Sequence, residues 1–269
     1  MTFSILIAHY NNWEYFQKCY QSITNQSYQN FEVVIVDDYS VDDSFQNLEI
    51  LAKSDSRIKL FRNSENKKVG FTKGRCVEEA IGDICMFVDP DDMICETALE
   101  EIKNAYESNP SVIATYSKLE LVDKDANSKG VFKSTKKIVN SDSKFFNINF
   151  EVAHLFSFKR ESYFKTLGIN PNLSSAVDQD LYLKLYEIGD FYFIDKILYQ
   201  YRLHDKGVSQ EKSKKEQLNT NWHQVLLETF NRRGIKKLYG KSIDEIAHLP
   251  KFIFEKENTF WKKFFRKLS

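Results

Sequence analysis

Ile84 to Asp92 reads ICMFVDPDD: five apolar residues run directly into three carboxylates. A short apolar run with a polar stop reads as a buried strand. Like charges this close oppose one another's ionisation. Asp and Pro are also ordinary turn residues, so a polar turn is the plain reading. The sharper reading is a strand end built to face a cation.

The pattern repeats on both sides of this stretch. Phe3–Ala8 (FSILIA), Phe31–Val36 (FEVVIV), Ile58–Phe61 (IKLF) and Val112–Leu121 read as further strands. Between them, Trp13, Phe16, Tyr20 and Ile23 recur at helical spacing behind a possible Asn12 cap, as do Phe45, Leu48 and Leu51. Val69–Ile81 and Glu96–Ser108 are also predicted helices. Apolar strands alternating with amphipathic helices predict an α/β fold, a mostly parallel sheet with helices on both faces. Ligands bind such sheets beyond the carboxyl ends of the strands. Polar clusters stand at three of those ends: His9-Tyr10-Asn11, Asp37-Asp38-Tyr39-Ser40 and Asp89-Pro90-Asp91-Asp92.

Beyond Leu121 the signal changes. Lys124–Ser143 is polar and reads as a loop or extended hairpin. Val152–Phe158 reads as a strand, Asp178–Ile188 as a helix, and Phe191–Ile194 and Leu198–Arg202 as two short strands. Lys206–Lys215 is a predicted loop and Glu216–Arg233 a helix. From Pro250 an amphipathic piece carries Phe, Ile and Trp against Lys262, Lys263, Arg266 and Lys267, a pattern that suits either a membrane interface or docking on the protein itself.

Composition sets the outer limits. The chain has 269 residues, 38 Lys+Arg against 38 Asp+Glu, and 42% hydrophobic residues, enough for a sizeable core. Zero net charge argues against a dedicated nucleic-acid binder. Cys19, Cys76, Cys85 and Cys95 form no C-x-x-C pair, which argues against zinc or a disulfide framework. With no basic leader and no run of roughly 18 apolar residues, a cytoplasmic protein is expected.

In order, these segments resemble glycosyltransferase family 2, with its nucleotide-sugar-binding fold, GT-A. The resemblance covers about residues 3–209. SILIAHYNN is similar to the family's first strand and turn, and VIVDDYSVDDS to its V-D-D-x-S-x-D-x-S element. NKKVGFTKGRCVEEAIGDICMFVDPDD resembles its basic helix, G-D/E-x-I and D-x-D-D. AVDQDLYLKLYEIGD resembles its E-D-x-D-L-x-L-R helix, and YQYRLHDKGVS its Y-R-x-H-x-x-x-x-S. A lone D-x-D says little; five motifs in family order are specific.

The resemblance implies roles. Asp89 and Asp91 hold Mn²⁺ or Mg²⁺ against the donor diphosphate, with Asp91 the direct ligand, Asp89 at the ribose or the metal, and His204 nearby. Asp92 either supports them or caps the next helix. Asp37 or, preferably, Asp38 contacts the base, usually uracil; the competing reading is capping of the next helix. Arg75 reaches the nucleotide, although Arg75-Cys76 replaces the family's Arg-Asn. Arg202 faces the leaving phosphate. Asp178 is the catalytic base, with Val177 where the family has Glu; a register shift of two would make it Asp180. His154 is expected in the core or the acceptor wall.

The expected organisation is a GT-A domain over 1–209, with nucleotide-sugar half 1–122 and acceptor half 123–209, and a C-terminal helical extension over 210–269. The expected activity is metal-dependent, inverting transfer from a nucleotide sugar, most simply a UDP-sugar, to a glycan or lipid-linked saccharide. Bacterial surface polysaccharide assembly is the setting the family suggests, with peripheral contact at the inner membrane face through the C-terminal helix. The alternatives are a non-catalytic nucleotide-sugar-binding or scaffold protein and a sugar nucleotidyltransferase. The latter should show a Gly-rich basic loop where His9-Tyr10-Asn11-Asn12-Trp13 stands.

Overall fold

The computed structural model describes residues 1–204 and 215–259. Strands β1 (Phe3–His9), β2 (Phe31–Asp37), β3 (Ile58–Arg62) and β4 (Ile84–Phe87) lie in the order β3-β2-β1-β4, all parallel. Helices α1 (Trp13–Thr24), α2 (Ser44–Ser54) and α3 (Lys68–Glu79) make the crossovers. Asn12 stands at the N-cap of α1, but its side chain accepts no capping hydrogen bond there.

The second half is mixed rather than parallel. The two-residue β5 (Met93–Ile94) precedes α4 (Ala98–Ser108) and β6 (Ala114–Val122). β7 (Ser128–Val131) folds back on β6, so the polar segment is a hairpin in part. β8 (Phe156–Lys159) inserts antiparallel between β4 and β6. The turn α5 (Arg160–Tyr163) and helix α6 (Val177–Tyr186) follow. The two short strands expected near the end are one, β9 (Phe191–Arg202), parallel to β6. Its register shifts where Ser117 faces Ile194 but Lys118 faces Ile197, so the polar Asp195-Lys196 that reads as a break is a bulge.

Side-chain alternation divides the core between the two sheet faces. Phe3, Ile5 and Ile7 of β1, Val33 and Ile35 of β2, and Ile84 and Met86 of β4 pack on α1, α2 and α4. Leu6, Val34, Val36, Cys85 and Phe87 point the other way, into a cluster with α3 and α6. The C-terminal helices α7 (Lys215–Arg232) and α8 (Leu249–Glu257) join that second cluster through Val225, Leu226, Phe230, Leu249 and Ile253. The described part of the extension therefore builds no core of its own. A two-stranded β10 (Lys237–Leu238) and β11 (Lys241–Ser242) lies between them. The basic residues Lys262, Lys263, Arg266 and Lys267, and most of the expected 206–215 loop, lie outside the described residues. Among the described residues no helix is long and apolar enough to cross a membrane. All four cysteines are free thiols.

Two features of this frame can be tested. In α3, a methyl group on Gly70 would lie 2.5 Å from the Asn170 carbonyl oxygen and 2.6 Å from that of Leu173. Gly70→Ala should lower stability in urea by about 1–3 kcal/mol. Gly74→Ala, whose nearest neighbour would be the Tyr163 hydroxyl at 3.9 Å, should be neutral or stabilise by up to about 1 kcal/mol.

The second feature is Glu32, buried on β2. Its Oε1 accepts from Ser4 Oγ at 2.6 Å and from the Ile81 N–H at 2.7 Å, while Lys59 Nζ lies 2.7 Å from Oε2. Burial pushes this carboxyl up, but the Ile81 N–H, Lys59 and Ser4 outweigh it and hold it below the usual range. A depressed carboxyl contributes stability above the unfolded value, about 4.3, and loses it as pH falls through the folded one. Glu32→Gln should cost about 1–3 kcal/mol at pH 7. Denaturation at stepped pH should show the gap closing below about pH 4.

Candidate active site

The carboxyl ends of β1, β2 and β4 do meet. His9 is fully buried, with Nδ1 3.6 Å from Asp37 Oδ1. Asp37 also accepts from the Ser40 N–H and hydroxyl and lies 3.3 Å from Arg62 Nε. Burial pushes the Asp37 carboxyl up, but His9 and Ser40 hold it below the ordinary range. Asp38 is a cradle for the next loop. Its Oδ1 accepts from Asn63 Nδ2 at 2.7 Å and from the Lys67 N–H at 2.8 Å, and its Oδ2 from the Lys68 N–H at 2.9 Å. Neither residue caps α2; Asp42 instead accepts from the Ser44 N–H. Arg75 donates to the Arg62 carbonyl and to Asn63 Oδ1, each at 2.8 Å, which places it on the outer side of the Asp38 cradle.

The acidic turn after β4 sends its three carboxylates to three places. Asp92 is buried and accepts from Tyr199 Oη and from the Arg202 N–H, each at 2.7 Å. It thus anchors β9 and caps no helix. Burial, then Asp91 and Asp89, push its carboxyl well up. Asp91 Oδ2 lies 2.7 Å from His204 Nε2, and the His204 ring packs on Tyr15. Arg202 differs from its expected place at the phosphate. It is 1% exposed, and its guanidinium donates to the carbonyls of Asp91 and Lys124, at 2.7 Å each. That is a brace under the turn.

Asp89 has different partners, two residues of modest sequence signal. Lys73 Nζ lies 3.0 Å from Asp89 Oδ1 and 2.8 Å from Asp178 Oδ1, with the Lys73 side chain only 5% exposed. His154 Nε2 lies 3.9 Å from Asp89 Oδ2 and 3.7 Å from Asp178 Oδ2, and its ring stacks on Tyr199. His154 therefore belongs to the polar cluster and not to the core. Lys73 had one readable signal: with Gly70 and Val77 it occupies the buried face of α3. His154, flanked by Val152, Ala153 and Leu155, had none.

Asp178 enters this cluster from the first turn of α6, where the helix dipole favours a carboxylate. Ala176 at the N-cap has φ +57°, and Val177, in the family's Glu position, is buried in the core. Burial pushes the Asp178 carboxyl up; Lys73 and His154 outweigh it and hold it below the usual range. Burial likewise opposes charge on Lys73, but Asp178 and Asp89 hold its ammonium protonated well above the ordinary range. Asp180 is fully buried, accepting from Lys184 Nζ and the Asn170 N–H at 2.8 Å each. It is a structural group directed away from the cluster.

Two donor sets have the chemistry for a divalent cation. One is Asp91 with His204; the other is Asp89, His154 and Asp178, whose ligand atoms lie within 4.8 Å of one another. His204 Nδ1 and His154 Nδ1 are buried without a hydrogen-bond partner among the described residues. Carboxylate oxygen with one imidazole fits Mn²⁺ better than Mg²⁺.

Residues 4–166 match the family described as glycosyl transferase family 2. A chondroitin synthase from Escherichia coli is 29% identical over 259 residues, covering 94% of this chain and 36% of that protein. A hyaluronan synthase from Pasteurella multocida is 26% identical over 262 residues, covering 94% and 25%. The chain thus spans about a third or less of these curated relatives. Among solved structures, S. aureus TarS 1-349 in complex with UDP-GlcNAc has a TM-score of 0.68 at 20% identity, over 98% of this chain and 78% of that one. A mannosyltransferase from Pyrobaculum calidifontis in complex with GDP-Man and Mn²⁺ has a TM-score of 0.61 at 16% identity, over 89% and 65%. These likenesses are of fold, and the fold is GT-A. The family match covers more than half of the sequence and includes the β1, β2 and β4 ends described above: the chain belongs to glycosyl transferase family 2.

Proposed function

We propose that the protein is a metal-dependent, inverting glycosyltransferase that moves a sugar from a nucleotide sugar, most simply a UDP-sugar, to an acceptor hydroxyl during polysaccharide assembly. The observation that carries this reading is Asp178. It is a partly exposed carboxylate paired with Lys73 beside Asp89, beyond the carboxyl edge of the parallel strands. The polysaccharide setting draws on the chondroitin and hyaluronan synthases among the relatives. The UDP-sugar draws on the UDP-GlcNAc complex of TarS, and the cation on the Mn²⁺ complex of the mannosyltransferase.

In this reading Asp178 accepts the proton of the acceptor hydroxyl as that oxygen attacks the anomeric carbon. The bond from the anomeric carbon to the diphosphate breaks, and its electron pair leaves on the phosphate oxygen. One displacement inverts the configuration. Asp91 and His204 would hold the divalent cation, whose Lewis acidity stabilises the departing diphosphate. Asp89 would contact the ribose or the cation. Asp37, Asp38 and Arg75 shape the nucleotide end, Asp38 through the loop it holds at Lys67 and Lys68. Arg202 acts by bracing the acidic turn. A nucleotidyltransferase fits poorly, because β1 ends in a buried histidine instead of a Gly-rich loop.

The test is nucleoside diphosphate release from a panel of nucleotide sugars, with saccharide acceptors and with Mn²⁺, Mg²⁺ or EDTA. One donor should be turned over with metal only. Asp178→Asn should lower kcat by at least about 100-fold while donor affinity persists, and Asp91→Ala should abolish the metal response. Donor binding without turnover would favour a binding module. No binding of any nucleotide sugar would overturn the reading.

A further inference from the structure

The Asp89–His154–Asp178 group has the spacing of a divalent-ion site, with ligand atoms within 4.8 Å of one another. It already contains a cation. Lys73 Nζ reaches the inner oxygens of both carboxylates, 2.8 Å from Asp178 Oδ1 and 3.0 Å from Asp89 Oδ1. Its side chain is 5% exposed, and Nζ sits 5.1 Å from the centre of the Phe87 ring. The stem therefore has little room to withdraw. A divalent ion chelated by the same two carboxylates would lie within a few ångströms of this nearly buried ammonium, and the two like charges would repel.

We propose that Lys73 is the resident cation of this group, so that the divalent ion is confined to Asp91 and His204. Lys73 is then a positioning residue. It holds Asp178 by Oδ1, leaving Oδ2, 3.7 Å from His154 Nε2, as the oxygen that meets the acceptor hydroxyl. The same ammonium holds Asp89 by Oδ1 and keeps two facing carboxylates from separating. The role of Asp178 and the divalent ion at Asp91 and His204 rest on the proposed function; the placement of Lys73 does not.

The experiment counts Mn²⁺ bound per full-length chain by electron paramagnetic resonance of the free ion, with UDP present as the probe nucleotide. Lys73→Met keeps the length and apolar stem and removes the charge. It should bind one more Mn²⁺ than the wild type, and adding His154→Ala should remove that extra ion. Equal counts in wild type and Lys73→Met would overturn the proposal. A second measurement stands even if Lys73→Met does not fold. In the otherwise wild-type chain, His154→Ala should leave Mn²⁺ affinity within about twofold, while His204→Ala should weaken it at least about tenfold. Loss of affinity in His154→Ala would place the ion among Asp89, His154 and Asp178 and overturn the proposal. A wild type that binds no Mn²⁺ would sink the metal-dependent function, yet an added ion in Lys73→Met would still support the assignment of Lys73.

Discussion

A buried ammonium between two carboxylates is the constraint on which the rest of the site depends. Lys73 joins α3, the turn after β4 and the start of α6, three pieces that share no hydrogen-bonded ladder. Taking such charges out of water is costly, and leaving one of them unpaired costs more. The three groups therefore fix one another's positions. What brings them within reach is a small residue one turn away. Gly70 lets α3 approach the 170–173 segment until its N–H donates to the Leu173 carbonyl at 2.9 Å. Lys73, three residues on, lies on the same face of the helix. Close backbone contact at Gly70 and long side-chain reach at Lys73 are two parts of one device that docks the second half of the chain on the first.

β9 performs the matching task on the other side. Tyr199 donates to Asp92 and accepts from the Asp89 N–H, and its ring supports His154. The Arg202 N–H binds Asp92, its guanidinium binds the Asp91 carbonyl, and His204 meets Asp91 two residues later. One strand thus holds both imidazoles and the acidic turn in a single frame. The register shifts twice, first where Asp195 and Lys196 have no partner on β6 and again where Leu198 has none, and the second shift changes the phase of β9 against β6 just before Tyr199.

How much of this the sequence reveals depends on how local each determinant is. The parallel half is legible because its strands are continuous apolar runs and its helices carry clean periodicity. Motif order singles out the D-x-D turn, Asp178 and His204. Lys73 and His154 are harder, because their meaning comes from partners far along the chain: Asp178 lies 105 residues after Lys73. Arg202 shows the reverse problem. An arginine two residues before His204 suggests a charged ligand, but burial commits it to carbonyl oxygens. The antiparallel insertion of β8 is equally non-local, since four residues, Phe156–Lys159, do not disclose which neighbours they pair with.

The density of charge in VDPDD then has a physical account that does not require one ion to neutralise it all. Asp89 is met by Lys73, Asp91 by His204, and Asp92 by a tyrosine hydroxyl and a backbone N–H. Each of the three carboxylates has its own partners, so the charge that adjacency in sequence crowds together is met group by group. Asp92, the most buried, is also the one whose ionisation is most opposed, and its two partners are hydrogen-bond donors without formal charge on the donating atoms. It works as an anchor. Asp89 and Asp91 keep partial exposure, at 29% and 24%. Burial of the third acid fixes the turn while the first two stay partly exposed. A turn selected only for chain reversal would need neither a lysine from α3 nor a histidine beyond β9. The presence of both on one short loop is what marks this strand end as a place built to handle charge.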